Sequence, residues 1–560
     1  MRRMAAPWIC GIGLLLAGTG MRAQSAPPAP LRPAYKAAAS GYRIAGTVVN
    51  SATGEPVRRA TVSLLSEEFR NTVALVETDS EGRFALAGLA AAKYPLTVSK
   101  RGFLTAFYDE HDGFSTAIVT GADQDTSGIV FRLTPGASLH GVVTGDGGDP
   151  VEGAEVMLFL KPRHPGSGAR ITGAGETRTD DTGAYEFDGL APGEYLVAVT
   201  AKPWYALHRS ASEARQRTES GPGVALDVAY PVTFFDSTTD ESSASSILLT
   251  GGNREEVNVN LRAVPALHLT VPGPDKEDGP RAFTQLRQTI FGATAPSGPF
   301  DPPIMRSTEN GDAEFYGVAP GHYEMTQGNP PRVMEFDATS SQQIDPSLGT
   351  PSVSVSGTVR TASGGALPSR LTMVLSPQDI ALPAGRIFTE SSQGSFQFHP
   401  VQPGRWELLA WSGDAAGQGR LMTVVSTTAN GSTHAGDLLT VRDKPLTLSV
   451  ILSDSETRIE GFVRKSGKGQ AGVMVVLVPK DPAVFRALTR IDQSDSDGSF
   501  SLRDVAPGGY TVVAIENDWE MDRSRPEAFQ RYLSQGIADT VTESSGKLVK
   551  HSEGVPVESR

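Results

Sequence analysis

The amino-acid sequence predicts an all-β protein, built as a tandem array of about five small antiparallel β-sandwich domains with short helical inserts. Three observations predict this fold class. A pattern of turn glycines and aromatic residues recurs five times with the same internal spacing. Short stretches of alternating apolar and polar residues, bounded by Gly and Pro, surround the copies. The composition, with 39% hydrophobic and 20% charged residues, is that of a globular protein.

Each copy of the pattern has a glycine in a polar turn, followed by two aromatic residues at fixed distances. In the second copy these residues are Gly183, Tyr185 and Tyr195, with Pro192-Gly193 just before the second ring. The turn glycine suits a positive φ, and the alternating residues after it predict a strand with one buried face. Pro-Gly fits the centre of a type II turn, and the second ring is expected in the core.

The other copies keep this spacing. Their glycine and two rings are Gly82, Phe84 and Tyr94; Gly394, Phe396 and Trp406; and Gly498, Phe500 and Tyr510. The third copy is the most degenerate, because Ala313 follows Gly311 where the other copies have a ring, although Tyr323 is kept. We expect Phe315, one pleat further along the strand, to fill the place of the missing ring.

Further strand candidates precede the motifs. Four of the opening strands carry a glycine between β-forming residues: Gly46, Gly141, Gly357 and Gly461. A short polar turn, such as Gly54-Glu55-Pro56-Val57, leads to the next candidate. Strands at such short and regular spacing, joined by Gly/Pro turns, indicate β-sandwiches.

The spacing divides the chain into segments. Two helices are expected within the inserts, at 212–219 and at 525–533, the second with Pro526 in its first turn. The predicted segments are a signal peptide (1–23), a Pro/Ala-rich linker (24–41), a first sandwich (42–134), a second with an insert (135–262), a degenerate third (263–350), a fourth (351–452), a fifth with a helical insert (453–545) and a polar tail (546–560).

The N-terminus is typical of an export signal. Arg2 and Arg3 precede an apolar run over 5–16, and small or polar residues lead to an expected cleavage after Ala23. A transmembrane anchor is the alternative, but the run is short and interrupted by Pro and Gly. We therefore expect an exported protein without a membrane span after cleavage, located in the periplasm, on the cell surface or outside the cell.

Charge and cysteine content narrow the function further. The formal net charge of −13 repels phosphate, so no nucleic-acid partner is expected. Cys10 is the only cysteine and lies in the predicted signal peptide. A mature chain without thiols excludes disulfides, thiolate metal sites and cysteine nucleophiles, and no cofactor is expected.

The repeats resemble the carboxypeptidase regulatory-like domain. The residues that carry the resemblance are Gly46-Thr47-Val48, Gly54-Glu55-Pro56-Val57, Thr78-Asp79 and Gly82-Arg83-Phe84, with equivalents in the second repeat. The resemblance implies a seven-stranded sandwich of the immunoglobulin-like or prealbumin-like kind, similar to transthyretin and to starch-binding-like domains. In metallocarboxypeptidases this domain is an accessory beside a catalytic domain. None of the nine histidines has the Glu three residues on that the family's zinc motif needs, so the resemblance implies no peptidase activity.

Some side chains have two interpretations. Aromatic residues in and near the inserts are expected either to stack on sugar rings, as in starch-binding relatives, or to pack the inserts; they are Trp204, Tyr205, Phe234, Phe235 and Trp519. The segment Asp495-Ser496-Asp497-Gly498 fits either a calcium loop or the turn found in every repeat, and it lacks the distal Glu of an EF-hand. His111, among acidic neighbours, fits a metal ligand, a base or a charged loop.

The function predicted from these features is that of a non-enzymatic structural or interaction protein. The array is expected to form a rod whose sheet edges or loops contact another protein or a cell-envelope polysaccharide. The alternative is a carbohydrate-binding protein that uses the aromatic residues above. A third hypothesis places a hydrolase in 263–350, where the repeat pattern is weakest. We expect no catalytic residues and no metal site, because no nucleophile elbow, phosphate-binding loop or dinucleotide-binding glycine run occurs in the sequence.

Overall fold

The computed structural model describes residues 41–67, 71–163, 170–208, 226–273, 284–294, 304–308, 311–378, 385–413, 419–542 and 548–559. The predicted signal peptide, the linker up to residue 40 and the predicted helix at 212–219 lie outside these residues. The all-β prediction is confirmed, since the described chain folds into five successive two-layer units. Within the described ranges, no helix has the length and apolar character needed to cross a bilayer.

The first repeat packs two main sheets around an apolar core. Its strands are β1 (Tyr42–Asn50), β2 (Thr61–Leu65), β3 (Thr72–Glu77), β4 (Arg83–Leu89), β5 (Lys93–Tyr94), β6 (Leu96–Ser99), β7 (Ala106–Phe107), β8 (Ile118–Val119) and β9 (Ile129–Leu133). The sheets have the orders β4-β1-β9 and β3-β2-β6-β7, and β5 pairs with β8. Val48, Val62 and Phe131 lie in the centre of the core.

The second repeat has the same plan with more strands after the motif. Its strands are β10 (Ala137–Thr144), β11 (Glu155–Leu160), β12 (Thr172–Arg178), β13 (Ala184–Leu190), β14 (Gly193–Thr200), β15 (Val228–Ala229), β16 (Thr233–Phe234), β17 (Ile247–Leu249), β18 (Arg254–Glu256), β19 (Val259–Asn260) and β20 (Val264–Pro265). The sheets have the orders β13-β10-β18 and β12-β11-β14-β16. The first also holds β19 beside β10, and the second holds β17 beside β14. A 3₁₀ helix spans Glu241–Ser243, and β15 pairs with β20 at the boundary with the third repeat.

The third repeat is also a two-sheet sandwich. Its strands are β21 (Leu267–Val271), β22 (Thr284–Ile290), β23 (Ala293–Thr294), β24 (Ile304–Ser307), β25 (Ala313–Val318), β26 (Gly321–Gln327), β27 (Arg332–Ala338), β28 (Gln342–Gln343) and β29 (Thr350–Pro351), with a 3₁₀ helix at Pro346–Leu348. The sheet orders are β24-β25-β21-β28 and β23-β22-β26-β27-β29. Phe315 fills the core as predicted, so the region considered for a hydrolase holds an ordinary apolar core.

The fourth repeat is built from two five-stranded sheets. Its strands are β30 (Val353–Thr361), β31 (Arg370–Pro377), β32 (Ile387–Glu390), β33 (Ser395–Val401), β34 (Gly404–Gly413), β35 (Gly419–Met422), β36 (Val424–Ala429), β37 (Ser432–Ala435), β38 (Leu438–Val441) and β39 (Leu446–Leu452). The orders are β33-β30-β39-β36-β37 and β32-β31-β34-β35, with β38 also paired to β34. Trp406 is fully buried between them.

In the fifth repeat, one long strand joins both layers. The strands are β40 (Arg458–Lys465), β41 (Lys468–Gly469), β42 (Met474–Pro479), β43 (Arg490–Gln493), β44 (Ser499–Leu502), β45 (Gly508–Glu516), β46 (Ile537–Val541) and β47 (Leu548–Ser559). The sheet order is β41-β40-β47-β45-β42-β43. β44 also pairs with β40, and β46 with β45. The polar tail predicted at 546–560 is therefore wrong over β47, because this strand lies between β40 and β45.

Helical segments in the fifth repeat are short. The insert predicted to hold a helix at 525–533 forms a 3₁₀ helix at Pro526–Tyr532, with Pro at its start as expected. A 3₁₀ helix at Pro482–Val484 and the α-helix α1 (Phe485–Leu488) were not expected from the sequence. Phe529 and Tyr532 from the insert cover the outer face of β42 and β45, so the insert forms a second core on the outside of the sheet.

The opening strand of every repeat lies between an antiparallel motif strand and a parallel strand from the end region of the repeat. The parallel partners are β1 with β9, β10 with β18 and β19, β21 with β28, β30 with β39, and β40 with β47. The opening-strand glycine permits this approach: a Cβ on Gly46 would lie 2.1 Å from the Ile129 carbonyl oxygen, and one on Gly141 would lie 1.9 Å from that of Val257.

The motif glycines behave as predicted, but the second turn does not. Gly82, Gly183, Gly311, Gly394 and Gly498 all have a positive φ. The glycine of Pro-Gly is instead the first residue of the next strand, as Gly193 is in β14, so the predicted type II turn is wrong. The left-handed residue lies six positions after the motif glycine, at Gly88, Gly189, Gly317 and Asp504. In the first three repeats it faces a register shift in the opening strand.

The repeats do not form an open rod, because the first repeat contacts the fifth. Lys93 lies against Asp495, and the amide of Ser496 donates to the carbonyl of Ala117. Neighbouring repeats also touch, for example through Phe291 of the third repeat, which packs on Phe159 of the second. The predicted rod is therefore wrong: a contact between the two ends of the array, which local sequence patterns do not encode, closes it.

Candidate interaction surface between the first and last repeats

The repeated rings are structural. The second ring of each motif is buried and donates a hydrogen bond to the carbonyl four residues before it. The pairs are Tyr94 Oη to Ala90 (3.2 Å), Tyr195 Oη to Ala191 (2.8 Å), Tyr323 Oη to Ala319 (2.8 Å), Trp406 Nε1 to Gln402 (2.9 Å) and Tyr510 Oη to Ala506 (2.7 Å). Burial raises the pKa of Tyr510 to about 12. Each ring thus fills a core and fixes the corner that precedes its strand.

The five aromatic residues predicted as a possible sugar platform lie in different surroundings. Trp204 is 91% exposed and meets Tyr205 edge-on, with ring centroids 5.7 Å apart. Phe234 is 3% exposed and packs on Phe291 of the third repeat. Phe235 is partly buried against the second core, and Trp519 is 9% exposed at the contact between the first and fifth repeats. Phe234 and Trp519 are therefore packing residues, and only Trp204 and Tyr205 form an accessible pair.

The contact between the ends of the array is made by residues 93 and 109–119 of the first repeat with residues 492–496 and 519–523 of the fifth. We call this contact the seam. At its centre, the Lys93 ammonium lies 2.6 Å from the Asp495 carboxylate. The amide of Ala117 donates to the other oxygen of Asp495 (3.1 Å), and the amide of Ser496 donates to the carbonyl of Ala117 (2.9 Å). The amide of Val119 donates to Ser496 Oγ (2.8 Å), so main-chain groups of the first repeat bind side chains of the fifth.

A buried amide and a stacked ring pair flank this centre. Gln493 Nε2 donates to Thr116 Oγ1 (2.8 Å), while Gln493 Oε1 lies 3.2 Å from His111 Nδ1. The His111 ring stacks on Trp519, with centroids 5.0 Å apart and an interplanar angle of 9°. Phe114 lies on the same indole at 6.0 Å. The apolar part of the seam is therefore small and centred on Trp519.

Asp112 joins three repeats. Its carboxylate accepts from Arg163 of the second repeat (2.9 Å) and forms a second ion pair with Arg523 of the fifth. Arg523 also lies over the Trp519 ring, 5.7 Å from its centroid. The loop around His111 is thus the part of the first repeat that contacts two other repeats.

Electrostatics favour a charged Lys93 in the seam. Burial by itself would lower the pKa of Lys93, but the adjacent Asp495 carboxylate overrides it and holds that pKa above its ordinary value. Nearby, burial raises the pKa of Asp492 to about 6, although amide donors, among them Ser501 N, oppose the shift. The seam therefore holds an ion pair in a partly desolvated environment, where removing one partner is costly.

The turn interpretation of 495–498 is confirmed. Gly498 donates to the carbonyl of Asp495, and the Asp497 side chain accepts from the amide of Ser499 (2.9 Å). In the other clear copies the first aspartate caps its own turn: Asp79 accepts from Arg83 N and Asp180 from Ala184 N. The Asp495 carboxylate accepts from Ser499 Oγ of its own turn (3.2 Å) and, in addition, from Lys93 and the Ala117 amide of the first repeat. Among the residues that the structure describes, no cluster of three potential metal ligands occurs.

The seam was missed from the sequence because its partners are far apart in the chain. Thr116 and Ser494, for example, are separated by 378 positions and are joined through a hydroxyl-to-carbonyl hydrogen bond. No periodicity connects such residues. The single local signal was the charged loop at 109–112, which the sequence analysis identified without a partner.

In other repeats the equivalent edge strands pair on one side only, within the part of the chain that the structure describes. In the fifth repeat the seam covers the end of β43, an edge strand paired with β42. The strands in the corresponding positions are β3, β12 and β32, and each is the last strand of its sheet. Leu75 on β3 is 54% exposed and Phe388 on β32 is 64% exposed. An edge strand with exposed apolar side chains is a surface on which another chain can add a strand.

Two family models match the chain. The carboxypeptidase regulatory-like domain matches residues 43–134 and 138–262, and the second β-sandwich domain of the BOS complex subunit NOMO1-like family matches residues 458–531. No curated protein matches the chain.

The chain also matches solved structures at low similarity. They include the Bacillus anthracis TIE protein (11% identity, 74% of this chain and 75% of that one, TM-score 0.18) and a streptococcal ancillary pilin (10%, 51% and 99%, TM-score 0.17). A third is the minor pilin GBS52 of Streptococcus agalactiae (14%, 40% and 97%, TM-score 0.19). No functional conclusion follows at these scores.

Proposed function

Because the chain is a tandem protein of carboxypeptidase regulatory-like domains, we propose that it is an exported, non-enzymatic structural and interaction protein. One observation carries this proposal: the aromatic side chains of the repeated motif are buried in sandwich cores, as Phe84, Tyr185, Phe396 and Phe500 are. Because the repeated side chains pack the cores, they support the role of a scaffold. The specific contacts of a scaffold lie on its surface.

The proposed contact elements are the open edge strands β3, β12 and β32. Strand addition supplies main-chain hydrogen bonds along the edge, and exposed side chains such as Leu75 and Phe388 supply specificity. In the fifth repeat the corresponding edge strand, β43, contacts another repeat through the Gln493 side chain, which supports the use of this edge as a contact surface. The expected partner is another exported protein.

A matched set of lysine substitutions tests the edge contacts. Leu75→Lys and Phe388→Lys place a charge on an edge strand, which opposes strand addition without affecting a core. Leu348→Lys is the control, since Leu348 is 76% exposed but lies in a 3₁₀ helix. The exported protein is chemically cross-linked in its own cells, and the cross-linked proteins are identified by mass spectrometry.

The edge-strand variants should lose a cross-linked partner that the wild type and Leu348→Lys retain. If Leu75→Lys and Phe388→Lys keep the same partners in the same amounts, the proposed contact elements are wrong. An unchanged thermal unfolding profile of each variant excludes misfolding as the reason for a loss.

The proposal that the protein is exported depends on the N-terminal residues alone. Arg2 and Arg3, followed by the apolar run and the small residues up to Ala23, support cleavage by a signal peptidase. N-terminal sequencing of the mature protein should begin at Gln24. A mature protein that still begins at Met1 would contradict this part of the proposal.

Carbohydrate binding is the second candidate, and the exposure of Trp204 favours it. A ring that is 91% exposed and meets Tyr205 only edge-on leaves a face free to stack on a sugar. We expect Trp204→Ala to abolish any retention on insoluble starch, cellulose or peptidoglycan. Trp411→Ala is the control, because Trp411 is a partly exposed tryptophan of the fourth repeat. Equal retention of both variants would remove this candidate.

A further inference from the structure

The two halves of the seam belong to repeats that fold around separate cores. The first repeat has its own core, and the fifth has one core inside its sandwich and another under its insert. The chain between them, residues 134–457, comprises three other repeats. Each half of the seam is therefore a preformed surface that does not need the other half in order to fold.

The chemistry of the seam allows it to open. Its contacts are chiefly an ion pair and hydrogen bonds, for example those of Asp495 and Gln493, which water can replace. Partial burial of Lys93 and Asp495 costs desolvation energy that offsets much of their attraction. Contacts of this polar kind between domains resemble transient protein–protein interfaces, and relative motion of the domains is the default expectation for them.

We propose that the seam is exchangeable, so that the first repeat of one molecule binds the fifth repeat of a second copy and builds head-to-tail assemblies. This inference goes beyond the proposed function, which concerns other proteins and the open edge strands. The two halves of the seam are different surfaces, so exchange is heterologous: two copies close reciprocally, and more copies form longer chains.

The seam specifies its own partner. Lys93 needs a carboxylate, and the amides of Ala117 and Val119 need two acceptors at one spacing, which the side chains of Asp495 and Ser496 supply. A second copy offers these groups in the same arrangement. Within one molecule, the connecting repeats keep each half of the seam at a high effective concentration around the other half. For linked modules this effective concentration is commonly about millimolar. Closure within the molecule therefore dominates in dilute solution, and exchange increases with protein concentration.

Single cysteines on opposite halves of the seam test the exchange. Cys10 is the only native cysteine, so Cys10→Ser gives a full-length background without thiols. A backbone hydrogen bond of 2.9 Å joins Ser496 to Ala117. Such a bond keeps the two Cα atoms within the separation of roughly 4.4–6.8 Å that a disulfide spans. Ala117→Cys and Ser496→Cys proteins are mixed over a range of concentrations and oxidised. Thr182→Cys mixed with Ser496→Cys gives the background from random collision.

Exchange predicts a mixed disulfide between Ala117→Cys and Ser496→Cys that exceeds the Thr182→Cys background and increases with concentration. The double variant, with both cysteines in one chain, should give an internal disulfide when dilute and covalent multimers when concentrated. Internal disulfide alone at every concentration overturns the exchange, and the absence of both products overturns the seam itself.

Native mass spectrometry of mixed ¹⁵N-labelled and unlabelled protein with the natural seam residues checks the exchange independently. Mixed-label multimers are the expected result, and their absence at high concentration contradicts the proposal. Loss of exchange would leave the edge-strand contacts of the proposed function untouched.

Discussion

At the scale of single residues, the corner hydrogen bond of the second motif ring recurs in all five repeats. In the fifth repeat, Tyr510 is fully buried and its hydroxyl donates to the carbonyl of Ala506. Four of the five rings are tyrosines and one is Trp406, which donates through its indole nitrogen. The side chain is therefore selected for a ring with a donor at a defined place, and a ring alone is not sufficient.

Tyr510→Phe should destabilise the fifth repeat by about 1 kcal/mol, because the Ala506 carbonyl loses its donor while the ring volume is kept. Chemical unfolding followed by the fluorescence of Trp519, which lies in the same repeat, measures the loss. Tyr42→Phe is the control, since Tyr42 is an exposed tyrosine outside the motif. Equal stabilities of the two variants would show that the corner bond contributes nothing.

Asp437 gives the fourth repeat a pH-dependent stability. Burial, together with the nearby Glu407 carboxylate, raises the pKa of Asp437 from 3.8 to about 6. Between about pH 4 and pH 6 the native state binds more protons than the unfolded chain, so the free energy of unfolding falls as the pH rises. The fall amounts to about 3 kcal/mol at most, at 1.36 kcal/mol for each pKa unit.

Asp437→Asn should remove this fall and make the fourth repeat more stable than the wild type at neutral pH. Trp406 and Trp411 lie in the same repeat and report its unfolding between pH 4 and pH 7. Asp443→Asn, at an exposed position, should leave the pH profile unchanged. A wild-type profile that is flat over this range contradicts the prediction.

At the scale of secondary-structure elements, two left-handed glycines shape each motif strand in the first three repeats, and in the second repeat only one of the two is confined. In the second repeat, a Cβ on Gly183 would lie 2.5 Å from the Val143 carbonyl oxygen, whereas a Cβ on Gly189 would meet nothing within 4 Å. Gly189→Ala should therefore cost only the backbone strain, about 1 kcal/mol.

Gly183→Ala should cost at least twice as much, because the same strain is added to a steric conflict with the opening strand. Calorimetric unfolding of the two variants measures the difference. They are matched controls for each other, since both place alanine at a positive φ in one repeat. Similar losses would mean that the opening strand moves freely away from the turn.

The sequence predicts elements well where the physical cause is local. The positive φ of the motif glycines and the burial of Phe315 follow from turn chemistry and from the two-residue period of a strand. Strand β47 was missed because it pairs in parallel with β40, about 90 residues earlier in the chain, and its own sequence is polar. The left-handed residue six positions after the motif glycine is a glycine in three repeats, Gly88, Gly189 and Gly317, but the strand pattern alone does not mark it as a bulge.

For the candidate sites too, the sequence predicts features with a local cause and misses those that depend on distant residues. The turn at 495–498 was predicted, because its form depends on Gly498 and on short-range hydrogen bonds. The role of Asp495 was not, since the same aspartate that caps a turn in the second repeat contacts Lys93 here. Aromatic residues such as Trp204 and Trp519 look alike in sequence, and only the packing of other repeats around Trp519 separates them.

At the scale of the whole molecule, the seam decides whether the array is closed or open. Asp112 binds arginines of the second and fifth repeats, and Lys93 neutralises Asp495. Replacing Asp112 removes its ion pairs with the two arginines. Replacing Lys93 leaves the Asp495 carboxylate buried without its counter-charge, and opening the seam returns this carboxylate to water. The double variant Lys93→Ala/Asp112→Asn should therefore be extended while every sandwich core stays intact.

Small-angle X-ray scattering in dilute solution should give this double variant a larger radius of gyration than the wild type. The matched control is Lys100→Ala/Asp123→Asn, which makes the same substitutions in the first repeat outside the seam, again with the aspartate at a positive φ. Because both variants leave the net charge unchanged, a general electrostatic expansion would not separate them. Expansion of the seam variant alone locates the closure at Lys93 and Asp112. Equal radii for all three proteins would mean that contacts between neighbouring repeats hold the array closed without the seam.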